Sequence, residues 1–64
     1  MLEGKVKWFD KKRGYGFAER DNRDIFIHFS EFLEDFTLQK DDIISFEMVK
    51  GEKGLKANKI TKMG

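Results

Sequence analysis

Short runs of β-branched and aromatic residues, separated by polar turns, recur along this chain, whereas no long window shows the apolar spacing of an amphipathic helix. The pattern predicts five strands: Lys5–Asp10, Tyr15–Arg20, Asp24–Phe29, Asp42–Lys50 and Leu55–Lys62. The connections at 11–14, 21–23 and 51–54 have hairpin length. The connection at 30–41 is longer. We expect it to hold a short helical turn, with Ser30 as N-cap and Glu31 or Glu34 in the first turn.

Five short antiparallel strands in 64 residues favour a small closed barrel. An open sheet in so short a chain would leave one face uncovered, and a two-layer α+β domain would need a helix of ~10 residues, for which only 30–41 offers space. We therefore expect one all-β domain, residues 1–64. The predicted core is Val6, Ala18, Ile25, Ile27, Phe32, Leu38, Ile44, Phe46, Met48 and Ile60.

The hairpin over residues 13–29 has rings at nearly every second position. Because strand side chains alternate between faces, Phe17 lies on the same face as the charged Glu19, and that face should meet solvent. The predicted inner set is Gly16, Ala18, Ile25 and Ile27. The predicted outer set is Tyr15, Phe17, Phe26 and His28. A bulge in the first strand would let both Trp8 and Phe9 border the outer set.

Phenylalanine side chains are usually buried, but the predicted core residues already fill the inner face of so small a barrel. The remaining rings are therefore expected on the outer face. A large exposed aromatic patch needs a function. Rings set among lysine and arginine suit the stacking of unpaired bases.

The net charge of +1 conceals an uneven distribution. Residues 1–13 carry +3, 14–30 carry −1, 31–49 carry −5 and 50–64 carry +4. If the two basic ends lie side by side, they form a surface for polyanions, with an acidic surface elsewhere. On charge alone, a merely solubilising surface explains the counts equally well.

Composition and motifs exclude most other chemistry. The chain has no cysteine, so it has neither disulfides nor a thiolate site. No apolar run spans a bilayer or resembles a leader peptide. These two absences predict a cytoplasmic protein without a membrane partner. His28 is the only histidine, Gly14-Tyr15-Gly16 lacks the third glycine of a dinucleotide motif, and no calcium-type ligand pattern surrounds Glu34-Asp35 or Asp41-Asp42. We expect no catalytic residue, no metal, no cofactor and no small-molecule substrate.

Three motifs carry a family resemblance over essentially the whole chain. Lys5-Val6-Lys7-Trp8-Phe9, then Gly14-Tyr15-Gly16-Phe17, then Ile25-Phe26-Ile27-His28-Phe29-Ser30 resemble the cold-shock domain of the bacterial cold-shock proteins. Gly14 to Phe17 is similar to that family's first ribonucleoprotein motif and Ile25 to Phe29 to its second. The resemblance implies a five-stranded OB-type barrel that binds single-stranded DNA and RNA.

The resemblance also implies the site, position by position. Stacking residues would be Trp8, Phe17, Phe26, His28, Phe29 and Phe36, bordered by Phe9 and Tyr15. Lys7, Lys12, Arg13 and Lys56 would lie near phosphates or base edges, and Asp24 near base edges. Asp10 is also expected in the nucleic-acid-binding site. The chain departs from the family in a shorter connection after Ser30, a shorter turn at 21–23, Ala18 in place of a larger aliphatic residue, and Leu55 in place of proline.

These observations predict a non-enzymatic, monomeric protein that binds single-stranded RNA and DNA with low sequence specificity. An RNA-chaperone role and an effect on transcription and translation follow from the resemblance. The alternative is a protein-interaction barrel whose aromatic groove accepts proline-rich peptides.

Overall fold

The computed structural model describes residues 1–52 and 54–63. The strands are β1 (Leu2–Asp10), β2 (Tyr15–Arg20), β3 (Arg23–His28), β4 (Ile43–Gly51) and β5 (Gly54–Lys62). A 3-10 turn, Phe29–Glu31, follows β3, and the described residues contain no helix that could cross a membrane. Lys53 in the predicted fourth connection and Gly64 at the end of the predicted domain lie outside the described residues.

The strands close into a barrel in the order β1-β2-β3-β5-β4, which confirms the predicted fold. β1–β2, β2–β3 and β4–β5 pair antiparallel, and β1 also pairs antiparallel with β4. β3 and β4 are neighbours in sequence but not in the sheet. The closing contact between β3 and β5 is parallel, with Phe26 opposite Lys56. β1 begins three residues before its predicted start, because its first residues pair with β4, a long-range contact that no local pattern reveals.

The residues buried in the barrel interior are all hydrophobic. The buried core consists of Val6, Ala18, Ile25, Ile27, Leu38, Ile44, Phe46, Ala57 and Ile60. Phe32 and Met48, predicted as core, are only partly buried against it. Both Ala57 and Ile60 point inward although they are three residues apart, because Lys59 (φ 51°) adds an extra residue to β5.

The β2–β3 hairpin is tight. Arg20 pairs with Arg23, and the two residues between them, Asp21 and Asn22, have φ of 52° and 63°. Two successive positive φ values define a type I′ turn, whose twist matches the flanking strands. The tight turn holds the outward-facing rings of β2 directly beside those of β3.

Candidate nucleic-acid interface

Six rings from the first three strands and the 3-10 turn form one continuous cluster on the outer barrel face. This aromatic platform consists of Trp8, Tyr15, Phe17, Phe26, His28 and Phe29. Each ring lies 4.7 to 6.3 Å, centroid to centroid, from at least one other. Trp8 stands opposite Phe17 and Phe17 opposite Phe26, so strand pairing sets the order of the rings.

The alternation of faces in β2 and β3 follows the prediction. Ile25 and Ile27 are 0% exposed, whereas Phe26 between them is half-buried on the outside. Trp8 and Phe29, at opposite ends of the platform, are 45% and 58% exposed. The rings therefore pack in edge-to-face and tilted pairs and keep part of their surface open to solvent.

A bulge in β1 decides which of its residues join the platform. Val6 pairs with Ala18 but Trp8 pairs with Phe17, so Lys7 is the extra residue, and both Lys7 and Trp8 are exposed. Phe9 is partly buried and lines a groove together with Phe29, so its place at the border of the outer patch stays a prediction. The bulge turns Phe9 toward the core, where its ring lies 5.6 Å from that of Phe32.

Phe9, Phe32 and Phe36 form a second group of rings, which we call the core-edge cluster. The rings of Phe32 and Phe36 are stacked, with centroids 4.3 Å apart and planes at 21°, and both pack against the core. The resemblance implies that Phe36 stacks bases. Its ring is partly exposed in a groove that Phe29 also lines, and its stacking role stays a prediction. Phe36 lies in the connection after Ser30, and the contact with Phe32 sets the packing of the Phe36 ring.

The ring of His28 is held by the turn that follows it. The backbone N–H of Ser30 donates to His28 Nδ1 at 3.1 Å, and Ser30 Oγ lies 2.9 Å from the same nitrogen. The N-cap of the 3-10 turn is therefore His28, and the prediction that Ser30 is the cap is wrong. Because Nδ1 accepts the cap hydrogen bond, the imidazole is held beside Phe26 and Phe29. The sequence analysis did not predict that Ser30 holds the His28 ring. A histidine two residues before a serine is the signal that could have indicated this contact.

Cations flank the platform on both sides. Lys7 Nζ donates to Asp24 Oδ1 at 3.1 Å on the exposed surface, and Lys56 lies opposite Phe26. Lys50, which the resemblance did not include, lines a groove of about 1010 Å³ beside Phe17 and Phe26. The basic ends of the chain are not side by side, because β4 and the β2–β3 hairpin separate β1 from β5. Lysines from the two ends, Lys7 in β1 and Lys56 in β5, lie on either side of the aromatic platform instead.

Asp10 shapes the turn between β1 and β2. Its Oδ1 accepts hydrogen bonds from the backbone N–H groups of Lys12 and Arg13, at 2.9 and 3.1 Å. Arg13 donates to the Tyr15 hydroxyl oxygen at 3.4 Å and pairs with Asp10 at 3.8 Å. The hydrogen bond to Tyr15, the charge interaction with Tyr15 and then the Asp10 carboxylate raise the pKa of Arg13, so this side chain remains a cation. Asp10 thus positions Lys12 and Arg13 beside the platform.

Nothing in the described residues gathers three or more potential metal ligands. The side chains that the structure does gather are rings and cations, with the carboxylates of Asp10 and Asp24 among them. This arrangement suits stacking and ionic contacts with a polyanion.

Comparisons with known proteins agree with this geometry. A family model described as the 'Cold-shock' DNA-binding domain matches residues 2–63. A cold shock-like protein of Thermotoga maritima is 46% identical over 59 residues, covering 88% of this chain and 89% of that protein. A cold shock-like protein of Aquifex aeolicus is 43% identical over 67 residues, covering 98% and 96%. The major cold shock protein of Micrococcus luteus is 46% identical over 70 residues, covering 98% and 100%. This chain therefore belongs to the cold-shock DNA-binding domain family.

Proposed function

We propose that this protein binds single-stranded RNA and DNA as a monomer, with bases stacked on the aromatic platform. The observation that carries the proposal is the continuity of the platform: six rings from separate elements meet at 4.7 to 6.3 Å on one solvent-facing surface. A fold that needed these rings only for its core would have turned them inward, where the barrel is already filled by nine residues.

Stacking explains both the strength and the low selectivity of such binding. Each stacked base contributes ~1 to 3 kcal/mol, and every base has a π face, so the contact tolerates any sequence. Duplex DNA keeps its bases stacked on one another, which leaves no face for the platform. Unpaired strands are therefore the preferred ligand.

The flanking cations give the second part of the binding energy. Lys7, Lys12, Arg13 and Lys56 lie beside the rings, where the backbone of a bound strand would pass. For each phosphate of a single strand that the protein neutralises, the logarithm of the association constant falls by ~0.7 per unit increase in the logarithm of the salt concentration. Because Asp24 already partners Lys7, we expect a modest salt dependence.

Trapping unpaired strands would keep RNA free of secondary structure. We therefore propose that the domain, residues 1–64, acts in the cytoplasm as an RNA chaperone that influences transcription and translation by binding alone, without catalysis or a cofactor. Membership of the cold-shock family supports this role.

The test is a titration of Trp8 fluorescence with hexathymidine, because Trp8 is the only tryptophan and lies in the platform. Quenching should saturate, weaken with added salt and be much smaller with a duplex of equal length. A proline-rich peptide is the control for the alternative function, a protein-interaction barrel. Saturable binding of the peptide that is independent of salt, together with no response to hexathymidine at low salt, would overturn the proposal.

A further inference from the structure

We propose that Ser30 is a positioning residue of the aromatic platform. It fixes the tautomer and the orientation of the His28 imidazole, so that the Nε2–H group of this ring is available to donate a hydrogen bond to a bound strand. The part of the inference that concerns the strand rests on the proposed function. The part that concerns the imidazole rests on contacts within the free protein.

The contacts at His28 Nδ1 determine the tautomer. The backbone N–H of Ser30 lies 3.1 Å from this nitrogen, and a backbone N–H can only donate. Nδ1 must therefore supply its lone pair, and a neutral imidazole then carries its proton on Nε2. Ser30 Oγ, 2.9 Å from Nδ1, is a second partner for the same nitrogen.

The same serine restricts the orientation of the ring. Ser30 belongs to the 3-10 turn, whose first residue is tied to the β1–β2 turn because Phe29 N–H donates to the carbonyl oxygen of Gly14 at 2.9 Å. The terminal torsion of a histidine side chain has broad, roughly two-fold preferences, so an unrestrained ring could flip about its Cβ–Cγ bond. Two contacts to Nδ1 oppose that flip, and they hold the ring at 32° to Phe26 and 31° to Phe29.

His28 Nε2 is accessible to a ligand. Both hydrogen-bond contacts of this side chain within the described part of the chain are made by Nδ1. A partly buried side chain whose second nitrogen were enclosed without a partner would count as a buried unsatisfied group, and residues 1–52 and 54–63 contain no such group. Nε2 therefore reaches solvent.

An Nε2–H donor suits the chemistry of a nucleic-acid strand. Phosphate oxygens and base carbonyl oxygens are acceptors, and a strand of any sequence supplies them. The opposite tautomer would turn a lone pair toward these oxygens, which is unfavourable. Ser30 thus acts on the strand only through the His28 ring, and the contact that it prepares is compatible with low sequence specificity.

The first test needs no nucleic acid. The nitrogen chemical shifts of histidine-labelled protein at a pH of about 8, where an ordinary imidazole is neutral, should show a single tautomer protonated at Nε2. His28 is the only histidine, so the assignment is unambiguous. Ser30→Ala should increase the motion of the ring, measured by nuclear spin relaxation, whereas Ser30→Thr, which keeps a hydroxyl, should not. A proton on Nδ1 in the wild-type protein would overturn the inference, whatever the protein binds.

A double-mutant cycle separates positioning from a direct or merely structural role. Ser30→Ala should weaken hexathymidine binding about 2- to 12-fold, the equivalent of one hydrogen bond, and Ser30→Thr should restore it. In a His28→Phe background, which keeps a ring but has no Nδ1, the same alanine substitution should change the affinity less than about 1.5-fold. The control is Ser45→Ala in β4, which should have no effect in either background. Affinities are corrected for the folded fraction. Equal losses in the two backgrounds, or no loss in the wild-type background, would refute the inference.

The complex with hexathymidine tests the donor itself. The Nε2 proton should exchange with water more slowly in the complex than in the free protein. A scalar coupling from this proton to phosphorus would identify a phosphate oxygen as the acceptor, and protection without such a coupling would identify a base oxygen. Exchange as fast as in the free protein would show that Nε2–H donates to no strand oxygen and would refute that part of the inference. The absence of any hexathymidine binding would overturn the proposed function and leave the tautomer result intact.

Discussion

Adjacent residues of β3 have opposite roles, and this contrast gives the sharpest mutational prediction. Ile27 is 0% exposed and Phe26 is half-buried on the platform. Replacing each by alanine removes a large side chain from the same strand, one from the core and one from the outer surface. The two variants should separate stability from binding.

The expected cost of Ile27→Ala is ~2 to 5 kcal/mol, because the substitution leaves a cavity in a closed core. A domain of this length has a total free energy of unfolding of only ~3 to 10 kcal/mol, so the variant should be partly unfolded at moderate temperature. Its folded fraction should still bind single strands, because the platform is unchanged.

Phe26→Ala should behave in the opposite way. Full burial of a phenylalanine contributes ~1.5 to 3 kcal/mol, so the half-buried Phe26 should contribute about 1 kcal/mol, or a fall of ~4 to 8 °C in Tm. Binding should weaken ~5- to 150-fold, the equivalent of one lost stack of ~1 to 3 kcal/mol. Its contacts with Phe17 and Tyr15, at 5.6 and 6.0 Å, explain why the stability cost is not zero.

Urea denaturation and fluorescence titration of both variants, with affinities corrected for the folded fraction, provide the measurement. Equal losses of stability would refute the assignment of β3 to an inner and an outer face. Wild-type affinity in Phe26→Ala would refute the platform, even if its stability followed the prediction.

Three further predictions concern the backbone and the flanking charges. Lys59→Gly should raise the free energy of unfolding by up to about 1 kcal/mol in urea denaturation, because glycine relieves the strain of φ 51°; an unchanged or lower value would contradict this account of the β5 bulge. Gly14→Ala should lower both Tm and affinity, because Gly14 has φ of +80° and a Cβ there would overlap the ring of Phe29; unchanged affinity would argue that Phe29 is not needed. Lys56→Met should reduce the slope of log K against log salt by ~0.7, and an unchanged slope would show that Lys56 meets no phosphate.

Features that depend on local alternation could be predicted from the sequence. β2 has the predicted bounds, and the inward isoleucines and outward rings of β3 are assigned to the correct faces. Both follow from the two-residue period of a strand and the presence of a charged residue on one face. These local rules were sufficient for most of the platform, including Phe17, Phe26 and His28.

Features that depend on long-range packing could not be predicted in this way. The β1 bulge was anticipated, but whether it would place Phe9 outside or inside depends on which residue is the extra one, and that is set by pairing with β2. The position of Phe36 depends on its contact with Phe32 across an irregular connection. Ala57 is buried only because the extra residue at Lys59 shifts the alternation of β5.

The most direct test of the central claim is the set of intermolecular nuclear Overhauser effects between isotope-labelled protein and hexathymidine. The account predicts contacts from thymine base protons to the rings of Trp8, Phe17 and Phe26, with chemical-shift changes concentrated on the outer face of β1 to β3. A saturated complex whose contacts fall instead on the core-edge cluster of Phe9, Phe32 and Phe36, with none on the platform, would contradict it.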